Sequence, residues 1–168
     1  MKTLLIAFAA LFFPIIVFCQ DITGLWSGTM SKDSTGQPLP YEVFISKDKG
    51  KYTGYSQTVF LIDGEKYYTI KKIWVKIAKD GKIVMKDAVL KENNNPSLVK
   101  HIKQLNVLDL VSNTSETALD GLFVTSPTKK YNEVLGRVNL KKTNTFAESS
   151  LMRYLQKNSG DNDITVVK

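Results

Sequence analysis

The chain has 168 residues, 43% of them hydrophobic and 23% charged, and a formal net charge of +7. That is enough for one domain with its own core and too little for two. Ten glycines without a period, and 10% aromatic residues, exclude collagen-like and mostly disordered chains. One Cys and one His exclude a disulfide framework within the chain, a Cys-based zinc site and a His-pair metal motif, so neither a metal nor a cofactor is expected.

Lys2 is followed by an apolar run from Leu4 to Phe18, interrupted by Pro14. At about fifteen residues it is too short for a roughly 30 Å hydrocarbon core. It fits a secretory signal peptide over residues 1–19, with Val17-Phe18-Cys19 as the processing site and Gln20 as the new N-terminus. The expected location is therefore secreted or periplasmic, with no integral membrane span after cleavage. A lipid anchor on Cys19 is the less favoured alternative, because Phe18 stands where a lipobox wants a small residue. The processed chain has no cysteine and a charge of +6, so it must be held by its core alone.

Of the 23 basic residues only Arg137 and Arg153 are arginines, and the lysines are spread along the chain, often near Asp or Glu. A nucleic-acid binder concentrates its charge and uses arginine forks, so no nucleic-acid partner is expected.

From Gln20 onward the pattern alternates with period two. Ile22, Gly24, Trp26, Gly28 and Met30 share one face. Ser31 to Pro40, with Gly36, Pro38 and Pro40, reads as a loop. Tyr41, Val43 and Ile45 begin a second strand, and Asp48-Lys49-Gly50 turns the chain into Tyr52–Leu61. Asp63-Gly64 and Asp80-Gly81 are hairpin signals on either side of Tyr67–Ile77. Ile83, Met85 and Val89 follow, then a break at Asn93-Asn94-Asn95-Pro96. Strands are expected over Val99–Val111, Thr117–Thr125 and Val134–Leu140. Phe146, Leu151, Met152, Tyr154 and Leu155 give a helical stripe, with Thr145 as N-cap and Glu148 three residues on. Ile164–Val167 reads as one more short strand. The expected fold class is all-β: an antiparallel up-and-down meander of about eight strands, a closed or nearly closed barrel, with a short C-terminal helix. The barrel occupies residues 20–142. Residues 143–168 form a helix and tail that pack on it or lead to a linker.

The most distinctive stretch is Asp21-Ile22-Thr23-Gly24-Leu25-Trp26-Ser27-Gly28. A Gly-x-Trp on the first strand of such a meander resembles the lipocalin and avidin-like barrels, the calycin group. The resemblance implies that Trp26 plugs the closed end of the barrel. It also implies that a basic residue of the last strand packs over the indole. Gly24, Trp26 and Arg137 are then the barrel-closing set, although Arg137 is out of phase with Val134, Val138 and Leu140. A helix and a short strand after the eighth strand match Thr145–Lys168 in order. The chain departs from the group in lacking a Thr-Asp-Tyr motif before a late strand and a disulfide on the tail. Its opening is also similar to that of small secreted bacterial proteins of unknown function, which implies no activity.

No catalytic residue is expected. His101 is the only imidazole and no Gly-x-Ser-x-Gly is present. Asp63, Glu65, Asp80, Asp87, Asp120 and Glu133 mostly read as turn or polar-face acids. Asp109 breaks an apolar face and would need a partner if buried. Asp161-Asn162-Asp163 lacks the rest of a calcium loop. Trp26, Tyr52, Tyr55, Tyr67, Tyr68 and Trp74 are the candidate ligand-binding residues, because aromatic rings with polar tips line cavities and carbohydrate platforms. The expected function is a secreted, non-enzymatic barrel module for a small apolar ligand or an envelope component. The alternatives are a structural or interaction domain of the bacterial envelope without an internal ligand, and a carboxylate-based hydrolase.

Overall fold

The computed structural model describes residues 21–96 and 102–159. Residues 1–20 with Cys19, His101, and the tail with residues 161–163 and 164–167 lie outside the described residues. Eight strands run in chain order: β1 (Gly24–Lys32), β2 (Pro38–Asp48), β3 (Lys51–Ile62), β4 (Glu65–Ile77), β5 (Ile83–Asn93), β6 (Gln104–Ser112), β7 (Thr117–Thr125) and β8 (Leu135–Thr143). Each pairs antiparallel with the next, and β8 returns to β1, so the sheet closes into a barrel. A helix, α1 (Ser150–Lys157), follows.

The turns explain the meander. Lys49 and Gly50 have φ of 47° and 80°, and Asp63 and Gly64 have 52° and 82°. Two successive positive φ values give the turn whose twist matches that of paired strands. The run expected as a loop from Ser31 to Pro40 is shorter. β1 continues to Lys32 and β2 already begins at Pro38. The prolines are tolerated because the β2–β3 ladder starts only at Tyr41 opposite Thr58, so they remove no rung from it.

Period two divides the residues between two cores. Trp26, Met30, Tyr41, Val43, Ile45, Ile73, Val75, Ile83, Met85, Leu108, Leu119, Phe123, Val138 and Leu140 point inward and pack together. On the outer wall Leu25, Phe44, Tyr55 and Ile70 are covered by Leu151, Met152 and Leu155 of α1. The helix stripe thus packs on the barrel. Its N-cap is Ser149, not Thr145: the Ser149 hydroxyl accepts from the Met152 N–H at 3.1 Å. The Glu42 carboxylate accepts from the Ser149 hydroxyl at 2.9 Å and the Leu151 N–H at 3.0 Å, which fixes the start of the helix against β2.

Strand β5 departs from simple alternation. Ile73 faces Asp87 but Lys72 faces Val89, so Ala88 is an extra residue, and a second irregularity follows at Lys71. The bulge at Ala88 turns Val89 to the outside, although it shares the parity of Ile83 and Met85, while Asp87 keeps that parity and stays inside. Among the described residues no helix is long and apolar enough to cross a membrane.

Candidate functional site

The barrel is filled at one end and open at the other. At the filled end Trp26 is 0% exposed, and its indole N–H donates to the Ile22 carbonyl at 3.0 Å. Gly28 admits the neighbouring strand: a Cβ there would stand 2.1 Å from the Asn139 carbonyl oxygen. Gly24, with φ +112°, bends the entry to β1. The cation over the indole is Lys142, whose Nζ lies 5.6 Å from the ring centroid. Arg137 is exposed on the outer wall, opposite Ser31 and Leu122. The place the resemblance gives to Arg137 is therefore taken by Lys142, because Lys142 shares the inward phase of Val138 and Leu140 and Arg137 does not.

Above the apolar plug lies a polar layer. Tyr41, Ser56, Asp87, Gln104 and Asn106 are all buried. The Lys71 ammonium donates to the Asp87 carboxylate in an ion pair. The same carboxylate oxygen accepts the Gln104 backbone N–H at 2.8 Å, and the Gln104 amide donates to Asn106 at 2.6 Å. The Tyr41 hydroxyl is hydrogen-bonded to Ser56 and Asn106; burial, and then the negative charge of Asp87, push its ionisation well above the ordinary phenol range. Among the described residues no buried side-chain polar atom lacks a partner. Asp87 also marks where the wall parts. The β5–β6 ladder runs only from Ile83 opposite Leu108 to Lys86 opposite Leu105. Beyond it the carboxylate, not a β5 carbonyl, receives the Gln104 N–H.

At the open end this layer floors a cavity of about 260 Å³. Its wall is largely apolar, with Met30, Leu39, Phe60, Ile102, Phe123 and Val134. Thr58, Thr69, Lys71 and Gln104 supply polar groups, and Lys32, Asn95 and Thr125 also stand on the lining. Lys71 and Gln104 belong to both the network and the lining. Lys71 is half-way out of the buried layer, with 21% side-chain exposure, so its ammonium is reachable from the cavity.

The expected aromatic cluster is distributed. Tyr52 packs beside the inner core near the filled end, under Lys47. Tyr55 is buried on the outer wall beneath α1. Tyr67 lies opposite Phe60 and donates to Glu65 at 2.8 Å. Tyr68 packs at the edge of the outer cluster, and its hydroxyl donates to Glu92, which raises its ionisation. It also lines an open cleft of about 500 Å³ beside α1, with Lys66, Arg153 and Lys157. Trp74 points outward and is 64% exposed. None of these residues, nor Trp26, lines the 260 Å³ cavity.

Adjacent strands break up the cluster because neighbours in sequence, such as Tyr67 and Tyr68, face opposite sides of the wall. The cavity residues were still accessible to parity. Lys71 shares the phase of Ile73 and Val75, and Asp87 shares that of Ile83 and Met85. A lysine and an aspartate on the inward phases of adjacent strands signal an internal pair. Asp109 lies outside, 60% exposed and bonded to Lys82 at 2.7 and 2.9 Å. Its phase is that of Val107 and Val111, which face outward. Asp63 and Asp80 stand at turns, and Asp120 bonds Asn139 on the outer wall. Among the described residues no group of three His, Cys, Asp or Glu side chains is placed to hold a metal.

No family model matches the chain, and no curated protein or solved structure matches it. The class is given by the fold: an eight-stranded, closed, up-and-down antiparallel barrel compatible with the calycin architecture, with one end sealed by Trp26 and the other opening on a small cavity.

Proposed function

We propose that the protein is an exported, non-enzymatic barrel module that holds a small ligand with an apolar body and one hydrogen-bond-accepting end. The observation that carries this reading is the composition of the cavity: an aliphatic and aromatic wall over a floor where Lys71 and Gln104 offer N–H groups. Such sites orient an apolar ligand through a few placed polar groups. A volume of about 260 Å³ favours a ligand smaller than those of pockets in the ~300–1,000 Å³ range. Export is supported by the apolar segment before Gln20. The non-enzymatic reading is supported by Asp87, the buried carboxylate among the described residues, being committed to Lys71 and the Gln104 N–H.

The test is an NMR titration of the chain with octanoate and, separately, octanol. The expected result is shifts at Met30, Phe60, Phe123 and Val134 with both, extending to Lys71 and Gln104 with octanoate, and lost in Val134→Phe. Absence of shifts at these residues with either probe at millimolar concentration would overturn the reading.

A further inference from the structure

The outer wall opposite α1 carries two complete cross-strand rows. Trp74, Lys86, Leu105, Val124 and Leu135 stand side by side from β4 to β8. Next to them run Lys76, Val84, Val107, Leu122 and Arg137. None of the ten is buried. Seven are apolar, three are basic and none is acidic. Acids border the band on two sides: exposed Asp33 and Glu133 beside Leu135 at the mouth end, and Asp109 facing Asp120 one row further toward the sealed end. Contiguous exposed apolar surface of this kind marks a contact site.

We propose that this band docks the barrel onto an anionic lipid surface. The charges argue against a second copy of the chain: a two-fold contact centred on the band would gather Lys76, Lys86 and Arg137 of both copies into one interface whose two rows hold no acid, and like charges across an interface are costly. They fit a negatively charged surface. The wall of a closed barrel is convex, so its aliphatic tips stand at different heights; a fluid headgroup layer conforms to them, whereas a folded acidic partner needs a matching hollow. Trp74 and the lysines supply the side chains that settle at a membrane–water boundary, a ring with a polar N–H and long stems with charged ends. The band also lies at the cavity mouth. Val134, Gln104 and Phe123 line the cavity, and their chain neighbours Leu135, Leu105 and Val124 form the first row outside. Docking places the mouth beside the lipid. The inference does not rest on the cavity binding anything, because the vesicle result below is independent of the octanoate titration.

The two tryptophans make the test specific. Trp26 is 0% exposed and Trp74 64%, so a blue shift of the emission on adding vesicles reports Trp74. The full chain and its variants share residues 1–20, so a difference between them belongs to the wall. With phosphatidylglycerol vesicles at low salt the emission shifts blue, and the shift disappears in Trp74→Phe. Lys76→Gln and Lys86→Gln each lower the partition coefficient about fivefold, and Leu122→Ser with Leu135→Ser removes binding while the unfolding midpoint in urea stays within error. Raising the salt weakens the interaction. The proposal is overturned if the Trp74 emission does not move, or if phosphatidylcholine vesicles bind as tightly. It is also overturned if sedimentation equilibrium shows a dimer that Leu122→Ser dissociates, or if polyglutamate but not vesicles shifts Trp74.

Discussion

The Lys142 ammonium stands 5.6 Å from the centre of the Trp26 ring and donates to the Asp21 carbonyl at 3.1 Å. One side chain of the last strand thereby covers the indole and holds the segment leading into the first. Asp21 is fixed from its other side as well: its carboxylate accepts the Thr23 N–H at 3.0 Å and the Thr23 hydroxyl at 2.9 Å, which lowers its ionisation below the ordinary carboxylate range. The sealed end is a small assembly of Asp21, Ile22, Trp26 and Lys142 joining the two ends of the sheet.

Three substitutions rank the parts of that seal. Trp26→Ala is expected to cost about 3–5 kcal/mol, as for a large buried ring. Lys142→Met is expected to cost about 1 kcal/mol, for one exposed cation–ring contact and one hydrogen bond. Arg137→Met stays within about 0.5 kcal/mol, since it lies on the outer wall. Urea unfolding of the three variants checks the order; an Arg137 effect as large as that of Lys142 would contradict the assignment of the covering cation.

The interior ion pair is expected to be costly to break from one side. Asp87→Ala leaves the Lys71 ammonium without its carboxylate and the Gln104 N–H without its acceptor, a loss of about 3–5 kcal/mol. Asp87→Asn retains an oxygen for the Gln104 N–H and recovers part of that stability. Amide exchange at Gln104 distinguishes the two: it is fast in Asp87→Ala and protected in Asp87→Asn.

Helix docking depends on the cap. Ser149→Ala removes the acceptor for the Met152 N–H and one donor to Glu42, and is expected to cost about 0.5–2 kcal/mol. Thr145→Ala is expected to change stability by less than about 0.5 kcal/mol. Urea midpoints, read alongside exchange at Leu151–Leu155, check both.

Alkaline pH is expected to unfold the barrel through Tyr41. Its phenol holds its proton more tightly in the folded chain than the ordinary value of 10.0. A group raised on folding contributes stability that is complete below its unfolded value and declines as pH rises past it. The urea midpoint therefore falls as pH climbs above about 10, and Tyr41→Phe flattens part of that fall. Absorbance at the phenolate band, followed with the unfolding signal, checks that the last tyrosine to ionise does so with unfolding.

Legibility in the sequence followed the range of the interaction involved. Hairpins at Asp63-Gly64 and Asp80-Gly81 were readable because a turn is decided by two or three adjacent residues. The inward set of β1, from Ile22 through Trp26 to Met30, was readable because parity is conserved along a regular strand. Parity failed on β5 beyond Asp87, where the bulge at Ala88 turns Val89 outward although it shares the parity of Ile83 and Met85. The helix stripe was readable, but its cap was displaced from Thr145 to Ser149. The deciding partner, Glu42, is on a strand 107 residues away.

The chain by itself determined a period-two ribbon with tight reversals, a tryptophan placed early on an inward face, and a terminal amphipathic turn of helix. These depend on φ preferences and on the spacing of apolar side chains, which are local. Tertiary structure alone decided which cation covers Trp26, that Lys71 and Asp87 meet, that a cavity remains above them, and that Trp74 joins Leu122 and Leu135 in one band. Each depends on the register between strands, set when the sheet closes on itself and the volumes of distant side chains must fit together.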